Sequence, residues 1–302
     1  MTYEAFCSSF ETEEDCMQAL FKVKWPDGFR CPICSNTNCY VTSTRRLPLY
    51  ECARCRTQTS LISDTIFRGS RTPLRSWFRA IFLHTQWRGI NALQLSEKIN
   101  VSYKTAWLIC HKIRFAMSQS DAENLLSGIV RVSDAILYRR IIPPRNFLEF
   151  EQPVFVGSME DEHGEITRFK IRVSPRSLRK DRHSSPDASS FIQQVVVPTS
   201  IPGTIVTKRH GKEVNRELRW VCRDAERWMA SKFRGVGLKH LQVYLDHYCY
   251  IDSRQEDSSI FIDLLRDCVR RVGINYPKLT GTLNRRSSRP VRQKHAAIAL
   301  VG

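Results

Sequence analysis

At 302 residues the chain is long enough for two or three small modules, one of which can bury a sizeable core. Its 47 Lys and Arg against 30 Asp and Glu leave a net charge of +17, which favours a polyanionic partner, nucleic acid before an anionic membrane surface. The best apolar run, Trp77 to Trp87, is short and broken by Arg79 and His84, so a membrane-spanning role is excluded at this level.

The acidic first fifteen residues lack a signal peptide's basic start and apolar core. Eleven cysteines, an odd number, point to a reducing cytosol and not to a disulfide framework. The expected location is therefore the cytoplasm, in association with the nucleoid. Thr12 followed three residues later by Asp15 predicts a capping box, and Glu13 and Glu14 complement the positive end of a helix dipole. Cys16, Ala19, Leu20 and Val23 recur at helical spacing, so residues 13–23 are expected to form one short amphipathic helix. Trp25-Pro26-Asp27-Gly28 supplies a turn after it.

That turn leads into two C-x-x-C pairs, Cys31-Pro32-Ile33-Cys34 and Cys52-Ala53-Arg54-Cys55, with seventeen residues between the inner cysteines. Each pair in a tight knuckle points two thiolates at one centre, and two knuckles joined by a hairpin complete a tetrahedral four-cysteine zinc site. Residues 39–42 and 49–51 are expected to be short strands around a polar turn holding Arg45 and Arg46. Cys39 is a spare that competes as a ligand only if a knuckle is distorted. Four ligands with no fifth of suitable spacing predict a closed, structural Zn2+ site that does not activate water.

Beyond the ribbon, Thr72-Pro73 predicts an N-cap with proline at the first helical position. Leu74, Trp77, Phe78, Ile81 and Phe82 mark one apolar face, and Arg75 and Arg79 lie on another. Ala92, Leu93, Leu95 and Ile99 suit a helix, Asn100-Val101-Ser102 a turn, and Ser102 the cap of a second helix through Arg114. This is the helix-turn-helix pattern, whose second helix enters the major groove N-terminus first. Ser102, Tyr103, Lys104 and Thr105 are then expected at base edges or phosphates, with Lys112 and Arg114 further along and Arg75 and Arg79 on phosphates. From Ile66 to Arg114 nine Lys or Arg face one acid, Glu97, which favours DNA contact over a helical unit that only packs.

Polar Asp121–Asn124 and Ser127-Gly128 predict a domain boundary. Residues 129–132 are strand-like, and Ile136 to Phe150, with Pro143-Pro144, is expected to be a loop. Residues 154–159 and 166–173 suggest a hairpin, followed by a polar basic loop over 174–185. A helix at 188–197, a strand at 204–207 and helices at 220–232, 238–250 and 259–272 complete a mixed α/β layer pattern. The tail from Tyr276 to Lys294 has six Lys or Arg and no acid.

Residues 10–117 resemble the N-terminal part of bacterial insertion-sequence transposases that carry a zinc ribbon followed by a helix-turn-helix. The matching runs are residues 25–34 (Trp25 to Cys34), 50–60 (Tyr50 to Ser60), 92–96 (Ala92 to Ser96) and 101–107 (Val101 to Trp107). A later run from Phe233 to Leu245 resembles the family's closing helices. The resemblance implies a ribonuclease H-like catalytic domain of the DDE class, in which two aspartates and a third polar or acidic residue hold divalent metal for in-line phosphoryl transfer. The family's first aspartate ends a run like Gly-x-Val-Glu-Val-Asp. Here that run is Gly128-Ile129-Val130-Arg131-Val132-Ser133, with Asp134 one residue late. A one-residue slip turns a strand side chain to the other face, so Asp134 substitutes only where the strand bulges. At the second position stand Lys208-Arg209-His210, and Glu226 occupies the third.

The expected organisation is multidomain α+β. An N-terminal helix and ribbon occupy 1–62, a helix-turn-helix unit 63–120, a degenerate ribonuclease H-like domain 128–275 and a basic tail 276–302. The expected function is that of a DNA-binding, transposase-like protein that has lost catalytic carboxylates, with Asp134 and Glu226 as the remaining catalytic candidates. A zinc-dependent DNA-binding regulator is the alternative. A nuclease using Asp134, Glu226 and Asp246 is a third reading, which requires those carboxylates to cluster. Zn2+ is the expected structural ion, and Mg2+ is expected only with activity. Duplex DNA is the expected partner, self-association into a homo-oligomer stays open, and no membrane partner is expected.

Overall fold

A computed structural model describes residues 1–138, 148–178, 186–207, 215–233, 235–255 and 257–280. Helix α1 (Tyr3–Ser9), which the sequence pattern leaves unassigned, precedes α2 (Glu13–Lys24). The Thr12–Asp15 capping box is formed in full. Thr12 Oγ1 accepts from the Asp15 N–H at 3.1 Å, and the Thr12 N–H donates to the Asp15 carboxylate at 2.8 Å. A three-stranded antiparallel sheet follows, ordered β1 (Cys39–Thr42), β2 (Leu49–Cys52), β3 (Gln58–Ser60). Lys24, at the end of α2, locks helix to ribbon by donating to the carbonyls of Ser60, Leu61 and Ser63 at 3.0, 3.0 and 2.7 Å. Burial pulls that ammonium down to about 8.

Helices α3 (Leu74–Thr85), α4 (Ala92–Lys98) and α5 (Tyr103–Glu123) come next. The expected Thr72 cap of α3 is replaced by one from far away: Glu13 accepts the N–H groups of Leu74 and Arg75 at 2.8 and 3.1 Å. Its carboxylate thereby serves two of the donors that every helix start leaves open. Asn100, at φ 51°, makes the turn into α5, and Ser102 Oγ accepts from the Thr105 N–H at 3.3 Å. α5 runs nine residues past the expected end at Arg114, because Ala116, Met117, Ser120 and Asp121 are all buried against later elements.

The second sheet has the order β6-β5-β4-β7. β4 (Ile129–Leu137) pairs antiparallel with β5 (Gln152–Glu160), β5 antiparallel with β6 (Ile166–Val173), and β7 (Ile205–Thr207) parallel with β4. β4 therefore extends two residues into the stretch expected to be loop. On one face Val130, Val132 and Phe155 pack against Phe191 and Ile192 of α6 (Ser189–Val195). On the other, Ala135, Leu137, Val154 and Val156 join the main core with α7 (Arg216–Phe233) and α8 (Leu241–Asp252). α8 lies along the β6 edge, where the Gln242 amide accepts from Val173 N–H at 2.7 Å and donates to Ile171 O at 3.0 Å. A side chain thus satisfies part of an otherwise open strand edge.

α9 (Ile260–Arg270) packs back on α2 and α3, so the front helices and the closing helices share one hydrophobic core. Phe6 of α1 stacks on Phe82 at 4.3 Å and meets the edge of Phe261 at 4.8 Å. α10 (Tyr276–Thr280) is the last described element. Pro143-Pro144, Lys208–His210, the basic loop from 179 to 185 and the tail from 281 onward lie outside the described residues.

Candidate functional site

The two C-x-x-C pairs form matching knuckles. Ser35 N–H donates to Cys31 O and Arg56 N–H to Cys52 O, both at 3.0 Å, with Ser35 and Arg56 in the left-handed region at φ 58° and 60°. Pairing of β1 with β2 brings the knuckles together, with Cys39 opposite Cys52. The ligand atoms of Cys31, Cys34, Cys52 and Cys55 all lie within 4.8 Å of one another. Three of the Sγ–Sγ separations are 3.4–3.5 Å. Tetrahedral Zn–S bonds of about 2.3 Å set sulfurs about 3.8 Å apart, so the quartet fits a zinc ion. Without a cation the four sulfurs cannot all ionise. The Cys55 and Arg54 backbone N–H groups hold the Cys52 thiol down to about 6, and the Thr57 hydroxyl, 3.3 Å away, helps to lower Cys55. Cys34 is pushed up to about 12, because the Asn36 N–H that favours its thiolate is outweighed by desolvation and the neighbouring sulfurs. A bound Zn2+ supplies the positive charge that lets all four act as thiolates. Asn36 and Thr57, which line the sulfurs, have no signal in the cysteine spacing.

The residues expected at DNA divide into two groups. Ser102, Tyr103 (57% exposed) and Lys104 stand in water at the start of α5, and the half-buried Thr105 hydroxyl is 2.9 Å from that of Ser102. Lys104 Nζ lies 4.9 Å from the centre of the Tyr276 ring. Arg75 is exposed and donates to Glu11 O at 2.7 Å, while Arg79 is half-buried. Lys112 departs from the expectation. It is buried and donates to Ile66 O at 2.8 Å and to Arg68 O at 3.4 Å. Arg114 is buried too, 4.2 Å from the Tyr244 ring centre and 5.0 Å from that of Phe233. The reason is that α5 enters the core: every residue from Ile109 to Arg114 is buried.

Residues 11–58 match the transposase zinc-ribbon domain. The match takes in α2 and the whole cysteine quartet, and the quartet is accordingly a structural Zn2+ site. A protein of Halobacterium salinarum described as an uncharacterized protein in transposable element ISH50 is 29% identical over 100 residues. That stretch is 33% of this chain and 34% of the relative, so the similarity spans about a third of either protein. No solved structure matches the chain.

Behind this transposase-type ribbon, the carboxylate candidates do not converge. The β4–β5 register is continuous from Ile129↔Glu160 to Leu137↔Gln152, with no bulge at Ser133 or Asp134. Asp134 is therefore on the face of Phe155, its cross-strand partner, which packs towards α6. Ser133, opposite Val156, is on the face covered by α7. Glu226 belongs to α7 and accepts the Tyr138 N–H at 3.1 Å, just past the end of β4. Burial pushes its carboxyl up, partly offset by that N–H and by Arg223. Asp134 and Glu226, expected to share a metal, thus sit on opposite sides of the sheet. Asp246 is 1% exposed and engaged by Arg172, Ser118 and Gln242. Among the described residues the cysteine quartet is the one group of three or more His, Cys, Asp or Glu close enough to hold an ion. Also among the described residues, no helix is long and apolar enough to cross a membrane.

Proposed function

We propose that the chain is a DNA-binding, transposase-like protein in which α3–α5 act as a helix-turn-helix unit and the β4–β7 sheet is a degenerate ribonuclease H-like domain. The observation that carries this reading is the ribbon, similar to a transposase domain, leading into a basic helical unit whose α5 start lies in water. Three consecutive antiparallel strands with a fourth parallel to the first, and helices on both faces, support the ribonuclease H-like assignment. Ser133 on the α7 face, where the family's motif has aspartate, supports loss of the metal-binding carboxylates. A serine hydroxyl does not supply the charge that Mg2+ needs.

The same lack of convergent carboxylates favours a second reading, a DNA-binding regulator without strand transfer. Metal-dependent cleavage and joining on DNA carrying candidate element ends tests both. Neither reaction is expected from the unaltered chain. Mg2+-dependent cleavage abolished by Glu226→Ala would overturn the degenerate-site reading. Activity gained by Ser133→Asp with Lys208→Asp, but by neither alone, would favour transposase ancestry over the regulator. Binding is measured by fluorescence anisotropy on duplex DNA across a salt series, with affinity expected to fall steeply as salt rises. Lys104→Ala is expected to weaken binding to the preferred sequence about tenfold, and Arg75→Ala to weaken all sequences alike.

A further inference from the structure

α7 carries a second surface with the chemistry of a nucleic-acid contact. Leu218, Cys222, Ala225 and Met229 are its buried stripe. At 100° per residue, Arg216, Trp220, Arg223 and Arg227 fall within a narrow band on the diametrically opposite side, with Arg219 on its flank. All four arginines are exposed, and Trp220 is 54% exposed. The guanidinium carbons of Arg223 and Arg227 lie 5.5 and 5.8 Å from the Trp220 ring centre. Arg216, Arg219, Trp220 and Arg223 border a surface depression of about 190 Å³. Arg227 pairs with Asp224 at 3.0 Å; among the described residues Arg216, Arg219 and Arg223 have no carboxylate partner within 4.0 Å. Of the helix's three acids, Glu217 and Asp224 lie on the other flank, while Glu226, on the flank of Arg219, is half-buried and accepts the Tyr138 N–H.

We propose that this face binds single-stranded DNA, the arginines taking phosphates and Trp220 stacking on an unpaired base. Guanidiniums in a row along one helix, three of them with no carboxylate within 4.0 Å among the described residues, call for a polyanion. An indole left half in water among them calls for a flat aromatic partner. Bases in a duplex are stacked on each other and hide their faces; an unpaired base offers one. The surface is on the far side of α7 from the core, so it does not require α5 to be the duplex reader. It rests on the proposed function only in taking DNA over RNA.

The test uses the full zinc-loaded chain and a fluorescein-labelled oligothymidylate, which forms no duplex, beside a hairpin duplex. Trp220→Ala is expected to weaken oligothymidylate binding about tenfold, with Trp220→Phe retaining most of it. Arg219→Gln with Arg223→Gln is expected to flatten the salt dependence of oligothymidylate binding. Zinc content and the thermal transition are expected to be unchanged in all three, because the residues face solvent. Loss of duplex binding in Lys104→Ala with oligothymidylate binding intact would support two separate surfaces. Failure of duplex binding in the unaltered chain would refute the α5 reading and leave this one standing. Oligothymidylate affinity unchanged by Trp220→Ala and by the double arginine change would overturn the proposal. Equal competition by polyglutamate would overturn it too, since charge alone would then be recognised. So would dissociation of a dimer by Trp220→Ala, which would make the face a self-interface.

Discussion

The cysteine quartet of the ribbon and the ion-paired cluster between α5, β6 and α8 both gather titratable groups tightly, but they differ in charge balance. In the ribbon, the sulfurs of Cys31, Cys34, Cys52 and Cys55 converge within 4.8 Å of one another, a set whose thiolates would all carry the same charge. Between α5, β6 and α8, Asp121 and Asp246 converge with Lys170 and Arg172: Lys170 and Arg172 reach Asp121 at 2.9 and 2.8 Å, and Arg172 also pairs with Asp246. The first cluster is incomplete without a positive ion, and the second carries its own countercharges. Clustered carboxylates alone therefore do not mark a metal site. Burial pushes the Asp246 carboxyl up, and Arg172 offsets part of that cost. The same pairing removes Asp246 from contention as a ligand for a catalytic ion.

The comparison breaks most visibly at the ribbon. Cys52→Ser is expected to abolish stoichiometric zinc and unfold residues 29–60, because structural zinc binding contributes on the order of 10 kcal/mol to a small module. Elemental analysis and hydrogen exchange over the ribbon check this; full zinc retention would remove Cys52 from the ligand set. The next largest effect is expected at the ion-paired network. Asp246→Ala should cost about 3–5 kcal/mol by leaving Arg172 short of a buried partner, with zinc content unchanged. Urea denaturation measures it. A Mg2+-dependent rise in the unfolding temperature of the wild type, lost in Asp246→Ala, would break the distinction between the two clusters.

Acid sharpens the comparison. Burial, reinforced by Arg114, holds His84 well below its ordinary value and His247 and His111 at about 3. His247 donates to the His84 carbonyl at 3.0 Å, and Arg114 donates to His247 Nδ1 at 3.4 Å. These imidazoles are neutral when folded, and the unfolded chain takes up protons first. Their contribution to stability is thus complete above about pH 6.5 and is lost progressively as pH falls towards 3. The ribbon fails in acid by another route, protons competing with the ion for thiolates. Excess Zn2+ during an acid titration is therefore expected to protect the ribbon while leaving the helical core's transition in place. His247→Asn is expected to reduce the pH slope of the core's stability by about one proton.

The smallest expected effect is at the knuckles. Ser35 is exposed and sits at φ 58°, so Ser35→Gly is expected to stabilise the zinc-bound ribbon by about 0.5–1 kcal/mol. A higher chelator concentration for half-loss of zinc is the outcome to look for. A lower one would show that the knuckle carries no backbone strain.

What the sequence by itself determined is what spacing along the chain can fix. Two residues between cysteines close a knuckle, Thr12 and Asp15 three apart close a capping box, and Ser102 reaches the Thr105 N–H from one turn away. Alternation likewise makes Ser133 and Asp134 face opposite ways, but whether β4 bulges there was settled only by its continuous register with β5. Distance along the chain says nothing about which face a distant element will cover. Lys112 and Lys104 look alike in sequence, yet one is sealed against Ile66 and the other stands in water, because α5 enters the core between them. Glu13 caps a helix that begins 61 residues later. α1 has too few residues to signal itself and is fixed by Phe6 among Phe82 and Phe261. Local geometry is encoded over a few residues; burial, long-range caps and charge pairing depend on where the rest of the chain comes to lie.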